Sequence, residues 1–85
     1  MANNLNAELT GKYVILELTW FRDREAFKAP VSRMFKCEDG FGCSPNAWGT
    51  AIFGHFCIDG EKARVKGYDI ERFATEEEIK QAKYP

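Results

Sequence analysis

Residues 40–65 read GFGCSPNAWGTAIFGHFCIDGEKARV, and within them a run of strand-forming residues leads into a sharp turn signal. Residues 50–58 are rich in β-branched and aromatic side chains, and Asp59-Gly60 separates them from residues 61–65. An Asp-Gly pair between two such runs is the strongest short-range hairpin signal, because a type I′ turn needs positive φ at both central residues. The sequence therefore predicts a β-hairpin with a two-residue loop, in which Ile58 lies opposite Glu61.

This hairpin has one apolar and one more polar face, because side chains alternate along a strand. The apolar face is predicted to carry Ile52, Gly54, Phe56, Ile58, Ala63 and Val65, and the other face Phe53, His55, Cys57, Lys62, Arg64 and Lys66. The glycine in the middle of the first strand predicts a bend or a bulge.

Outside the hairpin, apolar alternation predicts strands over residues 13–21 and 31–37, and residues 69–73 are expected to form a short closing strand or a tight turn. Thr75 with Glu78 is a capping-box signature, and Ala74 with Ile79 can form the hydrophobic staple, so a helix is expected over 76–84. The predicted organisation is one small domain. It has a loose N-terminus over 1–10, a β-barrel over 11–75 and a C-terminal helix over 76–84.

Composition sets the class of protein. The chain has 85 residues, of which 45% are hydrophobic, as is typical of a small folded domain. Twelve basic and thirteen acidic residues give a formal net charge of −1, which indicates neither a strongly basic nucleic-acid binder nor an acidic mimic. The N-terminus has no signal-peptide pattern, and no apolar run is long enough for a membrane span. We therefore predict a cytoplasmic chain with reduced cysteines, no membrane association and no cofactor.

Two resemblances follow from these patterns. Four to five short antiparallel strands with glycine-rich turns and one short C-terminal helix resemble a small, partly open SH3-like barrel, a mainly β fold that carries no function by itself. The stretches GFGCSPNAWGTAIFG (40–54) and YDIERFATEEEI (68–79) resemble short uncharacterised proteins carried by mobile elements such as conjugative plasmids and transposons. That resemblance implies no catalytic residue, cofactor or assigned activity.

The cysteines and the single histidine form the first candidate site. Zinc takes four such ligands tetrahedrally, and the chain offers Cys37, Cys43, His55 and Cys57. Their spacings are not those of zinc ribbons or fingers, so we predict no metal site and interpret the thiols as small hydrophobes. A nucleophile formed by His55 with Cys57 or Cys43 has no orienting third group in view. We therefore predict that the chain is not an enzyme.

Basic residues near aromatic ones form the second candidate site. Cations beside stacking aromatics on a small barrel are a common way to hold a single nucleic-acid strand. The residues that could form such a surface are Arg22, Arg24, Arg33, Lys36, Arg64 and Lys66. A near-neutral total charge favours solvated surface cations instead, so a nucleic-acid-binding accessory protein of a mobile element is the alternative interpretation.

The preferred interpretation is a non-enzymatic binding module that contacts a protein partner or itself. Phe41 and Trp48 in the glycine-rich loop 40–49, with Phe53 on the adjoining sheet face, are the candidate anchors. The two loop aromatics could equally cap one end of the core, since a small domain needs its large side chains there. An open sheet edge beside Phe53 would also allow a homodimer.

Overall fold

The computed structural model describes residues 9–39 and 51–85. The strands within them are β1 Tyr13–Leu16, β2 Met34–Asp39, β3 Ala51–Phe56, β4 Lys62–Lys66 and β5 Ile70–Phe73, and one short helix, α1, spans Glu76–Lys80. The five strands form one open antiparallel sheet in the spatial order β4-β3-β2-β1-β5. The prediction of a mainly β chain with four to five antiparallel strands and a short C-terminal helix is confirmed, and the arrangement is consistent with a small, partly open barrel.

The hairpin of β3 and β4 forms, but its loop is longer than predicted. His55 pairs with Lys62, and backbone hydrogen bonds join the N–H of Gly60 to the Phe56 carbonyl and the N–H of Phe56 to the Glu61 carbonyl. Gly60 has a φ of +77°, whereas Asp59 has negative φ, so the predicted type I′ pair does not form. The register is therefore shifted by two residues, which keeps every strand side chain on its predicted face.

Close packing accounts for the irregularity predicted at the mid-strand glycine. A Cβ on Gly54 would lie 1.9 Å from the Lys36 carbonyl oxygen, a separation no side chain tolerates. The pairing of β2 with β3 shifts just beyond this point, between Cys37 and Asp39. The bulge is therefore in β2, and the glycine allows the two backbones to approach.

Both faces of the sheet are covered near its centre. The main core lies on one face and contains Leu9, Val14, Leu16, Phe21, Phe35, Cys37, Ile52, Phe56, Val65 and Ile70. A second, smaller cluster of Ile15, Met34 and Cys57 lies on the other face, where Ile79 and Ala82 of the C-terminal segment pack against it. Because β1 contributes to both clusters, its residues 14–16 are all fully buried.

The first strand is shorter than the predicted 13–21. It ends at Leu16, and Leu18–Trp20 form a 3-10 turn closed by a hydrogen bond from the Phe21 N–H to the Leu18 carbonyl. The turn carries Trp20 and Phe21 onto Phe56, with ring centroids 5.5 Å and 5.9 Å away. Aromatic packing over the main core therefore replaces continued strand pairing.

The second strand begins later than the predicted residue 31. Pro30–Arg33 form a 3-10 turn with proline at its start, and the Ser32 hydroxyl donates to the Ala29 carbonyl at 2.6 Å. Proline has no N–H for a strand ladder but suits the first position of a helical turn. The pairing of β2 with β1 therefore begins at Met34.

The capping box of the C-terminal helix is confirmed. Thr75 Oγ1 accepts from the Glu78 N–H, and the Glu78 carboxylate accepts from the Thr75 N–H at 2.8 Å. The helix stops at Lys80, so its predicted extent of 76–84 is too long. The N–H groups of Lys83 and Tyr84 instead donate to the Cys57 carbonyl at 3.0 Å, which ties the C-terminus to the hairpin loop.

A loose N-terminus was predicted for residues 1–10, of which residues 1–8 lie outside the described residues. For Leu9 the prediction is wrong. Leu9 is fully buried in the main core, and the Gly11 N–H donates to the Cys37 carbonyl at 2.7 Å. Of the two alternatives predicted for residues 69–73, a strand forms, as β5 over Ile70–Phe73, and it follows a 3-10 turn at Gly67–Asp69.

Candidate functional site

Among the described residues, one face of the hairpin is covered by the C-terminal segment near His55 and is exposed around Phe53. We define the outer face as the side of β2, β3 and β4 that points away from the main core, carrying Lys36, Phe53, His55, Lys62, Arg64 and Lys66. Phe53 is 48% exposed and lies directly opposite Arg64. The exposed apolar surface of the Phe53 ring is therefore bordered by the positive charge of Arg64.

The outer face is cationic. Arg64 is exposed and forms no ion pair with any residue in ranges 9–39 and 51–85. Lys36 places its ammonium 4.7 Å from the centre of the Tyr13 ring and 3.4 Å from its hydroxyl. Glu38 is the carboxylate that neutralises part of this charge, since its oxygens lie 3.3 Å from Lys62 Nζ and 2.5 Å from His55 Nδ1.

His55 connects the outer face to the C-terminus. Its Nδ1 lies against the Glu38 carboxylate, and its Nε2 lies 2.8 Å from the Tyr84 carbonyl oxygen. The hydrogen bond from His55, together with Lys62, lowers the pKa of Glu38 below its usual value. The histidine side chain is 14% exposed, so it acts mainly as a bridge between β2 and the C-terminal segment.

Arg33 does not belong to a nucleic-acid surface, and that part of the prediction is wrong. It is 7% exposed, and its guanidinium donates to the Leu16 carbonyl at 2.7 Å, the Phe27 carbonyl at 2.9 Å and the Glu71 carboxylate at 2.8 Å. Its donors are satisfied inside the fold, because a fork of five N–H groups can hold several carbonyls at once. Arg33 therefore fastens the long connection between β1 and β2.

The other predicted cations divide between two places. Arg22 and Arg24 are exposed on the β1–β2 connection, which packs over the main core through Phe21 and Phe27. Lys36, Arg64 and Lys66 lie on the outer face, on the opposite side of the sheet. The six residues predicted to bind nucleic acid therefore do not form one patch, and only the last three adjoin Phe53.

The four residues considered as zinc ligands do not come together among the described residues. Cys37 lies in the main core, on the opposite side of the sheet from both Cys57 and His55. Cys43 lies outside the described residues. Over residues 9–39 and 51–85, no group of three or more His, Cys, Asp or Glu side chains is placed to hold a metal ion.

The Cys57 thiol is not activated by its neighbours. It is 1% exposed, and burial raises its pKa to about 11, an effect that the nearby Lys36 charge only partly offsets. A nucleophilic cysteine needs the thiolate, which a lowered pKa would provide. The environment of Cys57 is thus that of a structural thiol.

Of the three candidate partner anchors, only Phe53 can be placed. Phe41 and Trp48, with the whole loop 40–49, lie outside the described residues. Phe53 is the third residue of β3, the strand that follows this loop. Phe53, the sheet-face residue of the predicted binding surface, is exposed.

A pocket that the sequence did not predict lies on the other side of the sheet. It has a volume of about 220 Å³ and is lined by Trp20, Phe21, Phe27, Phe56, Ile58, Asp59, Glu61, Lys62 and Ala63. It forms because the β1–β2 connection folds over the end of the β3–β4 hairpin. The aromatic residues at 20, 21 and 27 were the sequence signal for this pocket. The prediction of a strand over 13–21 assigned the first two to the sheet, so the signal was missed.

No family model matches this chain, and no curated protein or solved structure matches it either. None of the helices in the part of the chain that the structure describes is long and apolar enough to cross a membrane.

Proposed function

We propose that this chain is a non-enzymatic binding module and that its binding surface is the outer face around Phe53. The observation that carries the proposal is the half-exposed Phe53 ring lying directly opposite the exposed Arg64. Lys36 and Lys66 lie on the same face, on the strands either side of β3. An aromatic platform flanked by cations suits a flat, anionic ligand.

Of the partner classes considered from the sequence, single-stranded nucleic acid is the one this surface suits best. Bases stack on an exposed ring without regard to sequence, and cations on the neighbouring strands can contact the phosphates. The near-neutral total charge is no obstacle, because Lys36, Lys62, Arg64 and Lys66 lie on the face that carries Phe53, with Glu38 as their acidic neighbour. The helix α1, which carries Glu76 and Glu77, is on the same side of the sheet but packs over Ile15 and Met34 of β1 and β2. We therefore propose a nucleic-acid-binding accessory function.

The experiment that tests this is fluorescence anisotropy with a labelled oligo-dT strand at increasing salt. Phe53→Thr removes the ring but keeps a residue that favours strands, and we expect it to weaken binding by the roughly 1–3 kcal/mol that one stacked base contributes. Arg64→Gln should reduce the salt slope by about 0.7 for one lost phosphate contact. Lys80→Gln on α1 is the matched control and should change neither quantity.

Two results would overturn the nucleic-acid proposal. One is the absence of oligonucleotide binding at low salt, and the other is binding that Lys80→Gln weakens as much as Arg64→Gln. The absence of oligonucleotide binding would favour the other interpretation of the sequence, in which Phe53 binds a protein partner together with Phe41 and Trp48. A protein contact of that kind would depend on Phe53 and Trp48 with little dependence on salt.

The finer classification also stays a proposal. The strand order β4-β3-β2-β1-β5, with a 3-10 turn between β4 and β5, supports assignment to SH3-like barrels. An association with mobile elements and a cytoplasmic location remain predictions from the sequence.

A further inference from the structure

The pocket on the core side of the sheet has the composition of a cation site. Four aromatic rings line it in one continuous cluster, with Phe21 stacked on Phe27 at 4.3 Å and Trp20 5.1 Å from Phe21. Trp20 is 38% exposed and Ile58 is 39% exposed, so the pocket opens to solvent between them. The faces of aromatic rings carry partial negative charge and attract a cation that is held over them.

The charges at the pocket mouth favour the same ligand. Asp59 and Glu61 line the pocket and are exposed. Lys62 also lines it, but its ammonium lies 3.3 Å from the Glu38 carboxylate and so points towards the outer face. The mouth therefore presents two carboxylates whose charge the neighbouring lysine does not neutralise locally.

The size and surroundings of the pocket restrict what carries the cation. About 220 Å³ is below the roughly 300 Å³ at which sites for drug-sized ligands begin, so the pocket suits a compact group. A peptide that extended from the pocket across the β4 edge would meet Lys62, Arg64 and Lys66, which disfavours a lysine- or arginine-rich peptide. A small molecule with one positive charge stays on the core side of the sheet and meets less of this repulsion.

We propose that this pocket binds a small molecule with a quaternary ammonium group, of the choline class. Methyl groups around the cation would contact Trp20 and Phe27, and Asp59 and Glu61 would supply the opposite charge. The site is on the opposite side of the sheet from Phe53, so the proposal is independent of the outer-face function.

The test is a two-dimensional ¹H–¹⁵N NMR titration of the full chain with choline and, separately, with 3,3-dimethylbutan-1-ol. The second probe has the same shape without the charge. We expect shifts at Trp20 and Ile58 with choline, and affinity at least about fivefold higher for choline than for the neutral probe. The spectrum also reports whether each variant is folded.

Trp20→Leu should abolish choline binding, and the double variant Asp59→Asn with Glu61→Gln should reduce the preference for choline over the neutral probe. The matched controls are Phe73→Leu, an exposed aromatic on β5, and Glu76→Gln on α1, and both should bind choline like the parent chain. Equal affinity for the two probes would overturn the proposal, as would the absence of shifts at Trp20 and Ile58. A trimethyllysine peptide that binds more than about tenfold tighter than choline would overturn the assignment to a small molecule.

Discussion

Arg33 shows how one side chain can organise a long connection. The segment between β1 and β2 has little regular structure in which its backbone groups could form hydrogen bonds. The Arg33 guanidinium instead donates hydrogen bonds to the carbonyls of Leu16 and Phe27. A third contact reaches Glu71 of β5 at 2.8 Å. The Glu71 side chain is 42% exposed, so the ion pair adds little, and the buried hydrogen bonds to carbonyls carry the effect.

Replacement of Arg33 by Met should therefore destabilise the fold by about 2–4 kcal/mol, because buried carbonyl groups lose their donors. Arg33→Lys should recover only part of the loss, since an ammonium cannot bridge the same acceptors as a planar fork. Urea denaturation measures both variants. The control is Arg64→Met at an exposed position, for which a change within about 0.5 kcal/mol is expected. A similarly small change for Arg33→Met would contradict this role.

At the scale of elements, the short helix α1 depends on one carboxylate. Glu78 accepts from the Thr75 N–H and also binds both terminal nitrogens of Arg72 on β5, at 2.8 and 2.9 Å. The hydrogen bonds from Arg72 are the main reason that the pKa of Glu78 falls to about 2. A helix of five residues has little stability alone, so this link to the sheet, together with Ile79, holds it in place.

This pKa shift predicts how stability depends on pH. Because the pKa of Glu78 is lower in the folded chain than the ordinary 4.5, its stabilisation is present above that ordinary value. It is lost as the pH falls towards about 2. Glu78→Gln should cost about 1 kcal/mol near neutral pH, a value reduced for solvent screening of the exposed Arg72 side.

The measurement is urea denaturation of Glu78→Gln and of the parent chain, at neutral pH and in acid. The difference between their free energies of unfolding should vanish in acid. Glu77→Gln, at an exposed position on the same helix, is the control and should show no such dependence. A difference that persists at the acidic end would show that the charge of Glu78 is not its source.

At the scale of the whole molecule, the open sheet has two edges, and β4 is one of them. An unpaired edge strand is a template for pairing with another chain, and cations along the edge are a common protection against it. Lys62, Arg64 and Lys66 occupy alternate positions of β4. Two copies meeting antiparallel along this edge would bring like charges opposite each other, which is destabilising. A homodimer through β4 is therefore not expected, although the sequence left that route open.

Threonine at all three of these positions keeps the strand propensity and removes the charge. We expect this triple variant to self-associate at concentrations where the parent chain does not, as measured by analytical ultracentrifugation. Threonine at Lys28, Lys80 and Lys83 removes the same charge away from the edge and should leave the association state unchanged. Equal behaviour of the two triple variants would assign the effect to net charge instead of the edge.

Local chemistry was predictable where the cause lies within a few residues. The capping box of Thr75 and Glu78 is such a case, because both hydrogen bonds close within one turn. The faces of β3 and β4 were also predictable, since a register shift of two residues keeps the alternation of side chains that a shift of one would invert. Phe53 on the outer face follows from that alternation.

Only the tertiary structure decided the features that depend on distant neighbours. The hairpin loop is longer than the turn signal predicts and holds Cys57 in a buried position, and β1 ends before Trp20, whose ring packs on Phe56. Arg33 is buried because its guanidinium donates hydrogen bonds to the carbonyls of Phe27 and Leu16, which are 6 and 17 residues away in the chain. The aromatic pocket arises in the same way, from a connection and a hairpin far apart in the chain. The sequence by itself determined strand faces and the helix start, because alternation and capping are local, whereas burial is a property of the assembled fold.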